Sequence, residues 1–135
     1  MARINGGGIY GAAFNEINIM SGSVLKNNRA VQGQGDDVYV ANTQNTLQLD
    51  SVEISNKYAQ TSIYVDTASL VLASGLIHDI KSRSSLQGGA VQCYNCKSVL
   101  IDNMRFTDLY SQRGGAVYFF ENTNNKKESD GPGKY

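Results

Sequence analysis

Short stretches of alternating apolar and polar residues recur along this chain of 135 residues. The clearest series reads Gly8-Ile9-Tyr10-Gly11, Asp37-Val38-Tyr39-Val40, Ser62-Ile63-Tyr64-Val65, Ala90-Val91-Gln92-Cys93 and Ala116-Val117-Tyr118-Phe119. The second residues of these stretches are 29, 25, 28 and 26 positions apart. Two-residue alternation is typical of β-strands, and a repeat of this length is typical of a solenoid. We therefore predict stacked coils, each containing one such strand.

Two further series predict a second and a third strand in each coil. The second strand reads Asn18-Ile19-Met20, Leu47-Gln48-Leu49, Leu70-Val71-Leu72 and Val99-Leu100-Ile101. The third reads Ser23-Val24-Leu25, Val52-Glu53-Ile54, Gly75-Leu76-Ile77 and Met104-Arg105-Phe106. Small polar residues between the two strands, as in Asp50-Ser51 and Asp102-Asn103, suit a sharp bend. No stretch has a sustained 3.6-residue apolar stripe, so we expect almost no helix.

Alternation also predicts which side chains point into the solenoid. Parallel stacking brings equivalent residues of neighbouring coils to about 4.8 Å from each other, so inward residues form columns. The predicted columns are Ile9, Val38, Ile63, Val91 and Val117; Val40, Val65, Cys93 and Phe119; Met20, Leu49, Leu72 and Ile101; and Leu25, Ile54, Ile77 and Phe106. The sequence thus predicts an all-β parallel β-helix of about four to five coils with three short strands per coil.

Glycine-rich blocks mark the start of several coils. They are Gly88-Gly89-Ala90-Val91, Gly114-Gly115-Ala116-Val117 and the related Gly6-Gly7-Gly8-Ile9. Together with the segment Leu25-Lys26-Asn27-Asn28-Arg29-Ala30, they resemble the Gly-Gly-Ala-Ile and Phe-x-x-Asn repeats of polymorphic membrane proteins and related surface β-helices. Over roughly residues 6–120 the chain resembles the right-handed parallel β-helix of the pectin-lyase-like fold. The resemblance implies an extracellular or cell-surface protein.

Charge and hydropathy narrow the possible partners. Twelve basic and twelve acidic residues give no net charge, so we expect no nucleic-acid partner. No apolar run of 18 residues is present, so we expect no membrane span.

We predict coils over residues 1–120, forming a segment of a longer solenoid, and a polar tail over 121–135. No cap precedes the first coil and the tail offers little cover, so we expect open ends that pair with partners.

One outward column is rich in tyrosine and is the first candidate binding site. It contains Tyr10, Tyr39, Tyr64, Gln92 and Tyr118. Stacked tyrosines in neighbouring coils would form an aromatic ladder that fixes the register of the strands. The same residues would alternatively offer an aromatic strip to sugar rings or to a partner surface.

Acidic residues form a second candidate site. Asp79 and Asp108 align with Asn27 and Asn56, and we favour a polar ladder at a turn. Two aligned carboxylates are alternatively an acid pair for glycoside cleavage, or calcium ligands as in the pectate lyases that this fold resembles. The single histidine, His78, is predicted to point outward without a catalytic role. Asp36-Asp37 is expected to form a solvated turn.

Two cysteines have the Cys-x-x-Cys spacing, in Cys93-Tyr94-Asn95-Cys96. One such pair supplies at most half of a zinc site. Because Cys93 falls in an inward column, we predict a buried free thiol, with a redox pair or a local disulfide as the alternative. The sequence predicts no metal and no cofactor.

These patterns favour a non-enzymatic module of structural or adhesion type. It would act by coil stacking, self-association or binding of a partner, with glycans as a possible ligand. The alternative is a fragment of a carbohydrate-active or glycan-binding β-helix protein, for which fold analogy is the support.

Overall fold

The structure, a computed structural model, describes residues 6–12, 16–32, 34–41, 45–57, 61–81, 89–111 and 115–121. Within these ranges the chain forms β-strands and no helix. In chain order the strands are β1 (Ile9–Ala12), β2 (Glu16–Ile19), β3 (Val24–Lys26), β4 (Val38–Ala41), β5 (Thr46–Asp50), β6 (Glu53–Ser55), β7 (Ile63–Asp66), β8 (Ser69–Ala73), β9 (Leu76–Lys81), β10 (Val91–Tyr94), β11 (Val99–Asp102), β12 (Arg105–Tyr110) and β13 (Val117–Phe120). Apart from Glu121, the predicted polar tail lies outside the described residues.

Consecutive strands enter three different sheets, and every third strand returns to the same sheet. The first sheet has the order β1-β4-β7-β10-β13, the second β2-β5-β8-β11 and the third β3-β6-β9-β12. All pairings are parallel. This is the all-β parallel solenoid with three strands per turn that the sequence predicts. Counted as full returns of the chain within a four-stranded sheet, it makes about three turns, slightly fewer than the four to five coils predicted.

The inward columns of the first sheet have the predicted register. Ile9 pairs with Val38, Val38 with Ile63, and Val91 with both Ile63 and Val117. In the middle of the stack these side chains are fully buried, together with Leu47, Ile54, Leu70, Leu72 and Ile77. Burying like residues on like residues removes a continuous apolar column from water, which is the main force that holds such coils together.

One predicted column is shifted by one residue in the first coil. The residue that pairs with Leu49 is Ile19, not the predicted Met20. Ile19 is buried, whereas Met20 is exposed. The separation between the inward residues Ile19 and Leu25 is six positions, one more than between their partners Leu49 and Ile54, and the bend contains Gly22 at φ 85°. Counting back from β3 by the usual spacing therefore leads to the wrong residue, and a shift of one reverses the side-chain direction.

The corners between strands are formed by polar residues with left-handed backbone conformations. The corner between the second and third sheets has Ser51, Ser74 and Asn103 at φ 56°, 54° and 50°. These residues lie in the bends that the sequence predicts. Short polar side chains tolerate the left-handed region better than most because they can hydrogen-bond to nearby backbone.

The glycine blocks are required where neighbouring coils approach closely. A Cβ atom on Gly7 would lie 2.3 Å from the carbonyl oxygen of Asp36, and one on Gly89 would lie 2.8 Å from that of Gly115. Any side chain at these positions would push the coils apart. Gly88 and Gly114, the first glycines of the two Gly-Gly-Ala-Val blocks, lie outside the described residues.

Candidate functional site

The outward tyrosine column has the register that the sequence predicts. Tyr10 pairs with Tyr39 and Tyr39 with Tyr64, and Gln92 lies between Tyr64 and Tyr118. The rings of Tyr10 and Tyr39 are stacked with centroids 5.4 Å apart and an interplanar angle of 2°. Those of Tyr39 and Tyr64 are 5.3 Å apart at 6°. The first three tyrosines therefore form a continuous aromatic ladder along the solenoid.

Exposure changes along this ladder. Tyr10 is 59% exposed, Tyr39 is half-buried, and Tyr64 is only 8% exposed. Burial, with Asp66 second, raises the pKa of Tyr64 to about 12, and burial likewise raises that of Tyr39. Both phenols therefore remain protonated at neutral pH, and their hydroxyl groups can donate hydrogen bonds.

A second aromatic stack lies in the next outward column of the same sheet. The rings of Tyr94 and Phe120 are 5.0 Å apart at an interplanar angle of 12°. These residues pair across β10 and β13, two positions beyond Gln92 and Tyr118. Sequence reasoning missed this stack, although extending the alternation by two residues places both side chains outward.

The stacking geometry limits what this face can do. Tyr39 is covered by a neighbouring ring on both of its faces, and Tyr64 is covered on the face toward Tyr39. A sugar that stacks on an aromatic side chain needs a free ring face. Tyr10, at the exposed end of the ladder, is best placed to offer one. The geometry of the ladder thus agrees best with a structural role, in which the stacked rings fix the register of the strands. Ligand binding at this face stays a prediction.

Replacing the central ring tests the structural role of the ladder. Tyr39→Ala removes two stacked pairs, each worth about 0.5–1.5 kcal/mol, and should lower the free energy of unfolding by about 1–3 kcal/mol. Tyr10→Ala removes one pair at an exposed site and should have roughly half that effect. Tyr39→Phe keeps the ring and serves as the control. Urea denaturation followed by circular dichroism gives all three values, and equal values for the two alanine variants would contradict a ladder.

The predicted acid pair lies inside β9 and β12 of the third sheet. Asp79 and Asp108 both have left-handed backbone conformations, at φ 55° and 52°, as does Asn27 at 52°. The strand pairs on either side of them, His78 with Thr107 and Ile80 with Leu109, confirm the alignment. Both carboxylates are exposed. The two carboxylates thus occupy left-handed positions within strands and not a turn between strands. An enzymatic role for them stays a prediction.

His78 lies between two carboxylates. Its Nε2 atom is 2.9 Å from Oε1 of Glu53, and its Nδ1 atom is 2.7 Å from Oδ2 of Asp79. The Glu53 contact raises the pKa of His78 most, with a smaller contribution from Asp79. When the ring is an imidazolium, each ring N–H donates to one of the two carboxylates.

A polar groove of about 490 Å³ lies beside His78. Its lining contains side chains of both charges, namely Lys26, Asn27, Ser55, Asn56, Lys57, His78 and Asp79. Among the described residues, no group of three or more His, Cys, Asp or Glu side chains is placed to hold a metal ion.

Asp36 and Asp37 are buried, so the prediction of a solvated turn was wrong. Asn28 Nδ2 donates to Oδ1 of Asp37 at 2.9 Å. Asn56 Nδ2 and the Ser62 hydroxyl donate to its Oδ2 at 3.0 and 2.7 Å. Burial raises the pKa of Asp37, and these hydrogen bonds oppose that rise.

Asp36 has a separate role in the same corner, where its Oδ1 accepts a hydrogen bond from the backbone N–H of Ala30 at 2.8 Å. The two carboxylates thus satisfy buried donors where the chain passes from the third sheet to the first. Asn56 is part of this buried network and therefore departs from the exposed turn positions with which it aligns.

Cys93 is buried in its inward column as predicted, and Cys96 is half-buried nearby. Both are free cysteines. They line a cavity of about 530 Å³ together with Lys97, Val99, Phe119, Phe120 and Glu121.

In the part of the chain that the structure describes, no helix is long and apolar enough to cross a membrane. The sheets confirm the parallel β-helix, but the pectin-lyase-like and polymorphic-membrane-protein resemblances gain no support beyond the fold itself. No protein-family model, no curated protein and no solved structure matches this chain.

Proposed function

We propose that this protein is a non-enzymatic structural module of adhesion type that works by stacking its coils on those of a second copy. The proposal includes an extracellular or cell-surface location. The solenoid would serve as a rigid rod, and its length would grow by head-to-tail association.

The exposure of one inward column carries this proposal. Along Val40, Val65, Cys93 and Phe119, the exposed fraction is 0%, 0%, 1% and 56%. The same change occurs in the other two sheets, where Leu72 and Ile77 are buried but their neighbours Ile101 and Phe106 are only half-buried. Core positions therefore open to the surface at β11, β12 and β13. Apolar surface that continues a core is a favourable site for association.

The opposite end of the described solenoid has a matching surface. Ile9, Ile17 and Leu25 occupy inward columns in β1, β2 and β3 and are half-buried. β1 and β13 have the same length of four residues and lie at opposite ends of one sheet. A second copy placed head-to-tail, with its β1 beside β13, would continue the columns of the first sheet and extend the tyrosine column from Tyr118 to Tyr10. Such a contact uses two different surfaces and repeats by translation along the solenoid axis, so it would build an open filament.

Two lysine substitutions near this end of the described solenoid, in β13 and β11, test this arrangement. Phe119→Lys places a charge in an inward column, which a stacked coil would bury, and should abolish association. Leu100→Lys changes a residue of similar exposure, 58%, that points outward, and should leave association intact. Size-exclusion chromatography with light scattering over a range of protein concentrations measures both. A wild-type protein that stays monomeric at the highest concentration would contradict the proposal.

A further inference from the structure

The Cys-x-x-Cys segment spans the corner between the first and second sheets. Cys93 lies in β10 and points inward, and Asn95 has a left-handed conformation at φ 50°. This conformation turns the chain so that Cys96 packs against the core as well. The side chain of Cys96 lies within hydrogen-bonding reach of Cys93, and its sulfur is 3.8 Å from the carbonyl oxygen of Val65.

The preceding coil has the same corner without sulfur. Val65 pairs with Cys93, and Thr67 has the left-handed conformation of Asn95, at φ 55°. The backbone N–H of Lys97 donates to the carbonyl of Ala68, which places Ala68 beside Cys96. Val65 and Ala68 are both fully buried. Two small apolar residues at these positions are therefore enough for the coil to fold. The fold alone does not explain why two thiols are placed there.

We propose that Cys93 and Cys96 are an oxidisable pair that forms an intramolecular disulfide on reaction with a small-molecule disulfide such as oxidised glutathione. The pair lies at a cavity that also includes Phe119 and Lys97, so a small molecule can approach it. The geometry favours Cys96 as the thiol that reacts first with oxidised glutathione, because Cys96 is half-buried, whereas Cys93 is buried.

The reaction takes place in two exchange steps. The Cys96 thiolate attacks oxidised glutathione, which breaks its S–S bond, releases one glutathione thiolate and forms a mixed disulfide. The Cys93 thiolate then attacks the Cys96 sulfur, which releases the second glutathione and forms the Cys93–Cys96 bond. The protein loses two electrons and two protons, and one oxidised glutathione becomes two reduced molecules.

Thiolate supply determines the rate of this reaction. The hydrogen bond with Cys93, followed by burial, raises the pKa of the Cys96 thiol. Because the thiolate is the attacking species, the rate should rise about tenfold for each pH unit through the neutral range. The two thiols are therefore expected to react slowly. Once formed, the disulfide is expected to persist as a structural clamp at the corner between the first and second sheets.

Substitutions taken from the preceding coil give a matched test. The full chain, wild type or with Cys93→Val or Cys96→Ala, is treated with oxidised glutathione and analysed by intact mass and peptide mapping. Wild type should lose the mass of two hydrogens, with Cys93 and Cys96 linked, and dithiothreitol should reverse this. Cys93→Val should stop at a mixed disulfide on Cys96. Cys96→Ala should stay unmodified because Cys93 is buried.

A melting experiment adds an independent readout. The oxidised wild-type protein should melt at a higher temperature than its reduced form, whereas the treatment should not raise the melting temperature of Cys96→Ala. A wild-type protein that stays reduced, or that accumulates only the mixed disulfide, would overturn the proposal. A link between Cys93 and Cys96 with an unchanged or lower melting temperature would overturn its role as a clamp.

Discussion

Asp37→Ala should lower the free energy of unfolding by about 2–4 kcal/mol, because each buried donor left without an acceptor costs about 1–3 kcal/mol. The substitution removes the acceptor for Ser62, which is buried, and for Asn28, which is half-buried. It also removes one acceptor of the buried Asn56, whose Nδ2 still donates to the Asn28 carbonyl at 2.6 Å. Part of the loss is offset since a buried carboxylate is itself costly to desolvate. Asp102→Ala, at an exposed position, is the matched control and should change the value by less than about 0.5 kcal/mol.

The pH dependence of this contribution has a definite sign. Burial raises the pKa of Asp37 above the value of 3.8 expected for an unfolded chain. The folded state therefore holds this proton more tightly, and its contribution to stability is fully present below about pH 3.8 and lost as the pH rises through the folded-state pKa. Asp37→Asn has no proton to lose.

The measurement is the difference in stability between wild type and Asp37→Asn, by urea denaturation from pH 3 to pH 7. The free energy of unfolding of the wild type should fall relative to that of Asp37→Asn as the pH rises. A difference that stays constant, or that shifts in favour of the wild type, would show that burial does not dominate at Asp37. Equal stabilities of Asp37→Ala and Asp102→Ala would contradict the buried network itself.

The residues that were predictable from sequence are those set by local alternation. Strands such as Ile63–Asp66 and Ser69–Ala73 follow from a period of two, and stacking at a fixed spacing turns this period into columns. The shift at Ile19 came from one additional residue in the bend near Gly22. Alternation cannot detect such an insertion, because its effect becomes visible only when the strands pair.

The buried state of Asp37 depends on residues distant in sequence. Its donors come from three segments, those of Asn28, Asn56 and Ser62. One signal was present in the alignment, since Asp37 occupies the position of Ser62 and Ala90 in neighbouring coils. Small residues at equivalent positions indicate a crowded corner. The acidic side chain suggested solvent instead, because an isolated carboxylate is rarely buried without partners.

For the tyrosine column, the pairing of residues between coils was predictable from the sequence, but the exposure of each side chain was not. The tyrosine column could be read from Tyr10, Tyr39 and Tyr64, and the stacking follows from the distance between coils. That Tyr64 is almost covered while Tyr10 is exposed depends on the packing around the sheet. The sequence therefore identified the ladder and its stacking, but not how far each tyrosine is buried.

Leu72→Ala should lower the free energy of unfolding by about 2–5 kcal/mol, the range for truncating a large aliphatic side chain in a core. Leu72 is fully buried and pairs with Leu49 on one side and Ile101 on the other. The strand ladder holds these coils at about 4.8 Å, so the backbone has little freedom to close the cavity, and a value in the upper part of the range is expected.

The neighbouring residue Val71 provides the control, because it lies on the same strand but points outward and is half-buried. Val71→Ala should lower the free energy of unfolding by less than about 1 kcal/mol, since little apolar surface returns to water and no cavity forms. Guanidinium denaturation measures both variants under identical conditions. Equal losses for Leu72→Ala and Val71→Ala would contradict the assignment of inward and outward faces, on which every column of the solenoid depends.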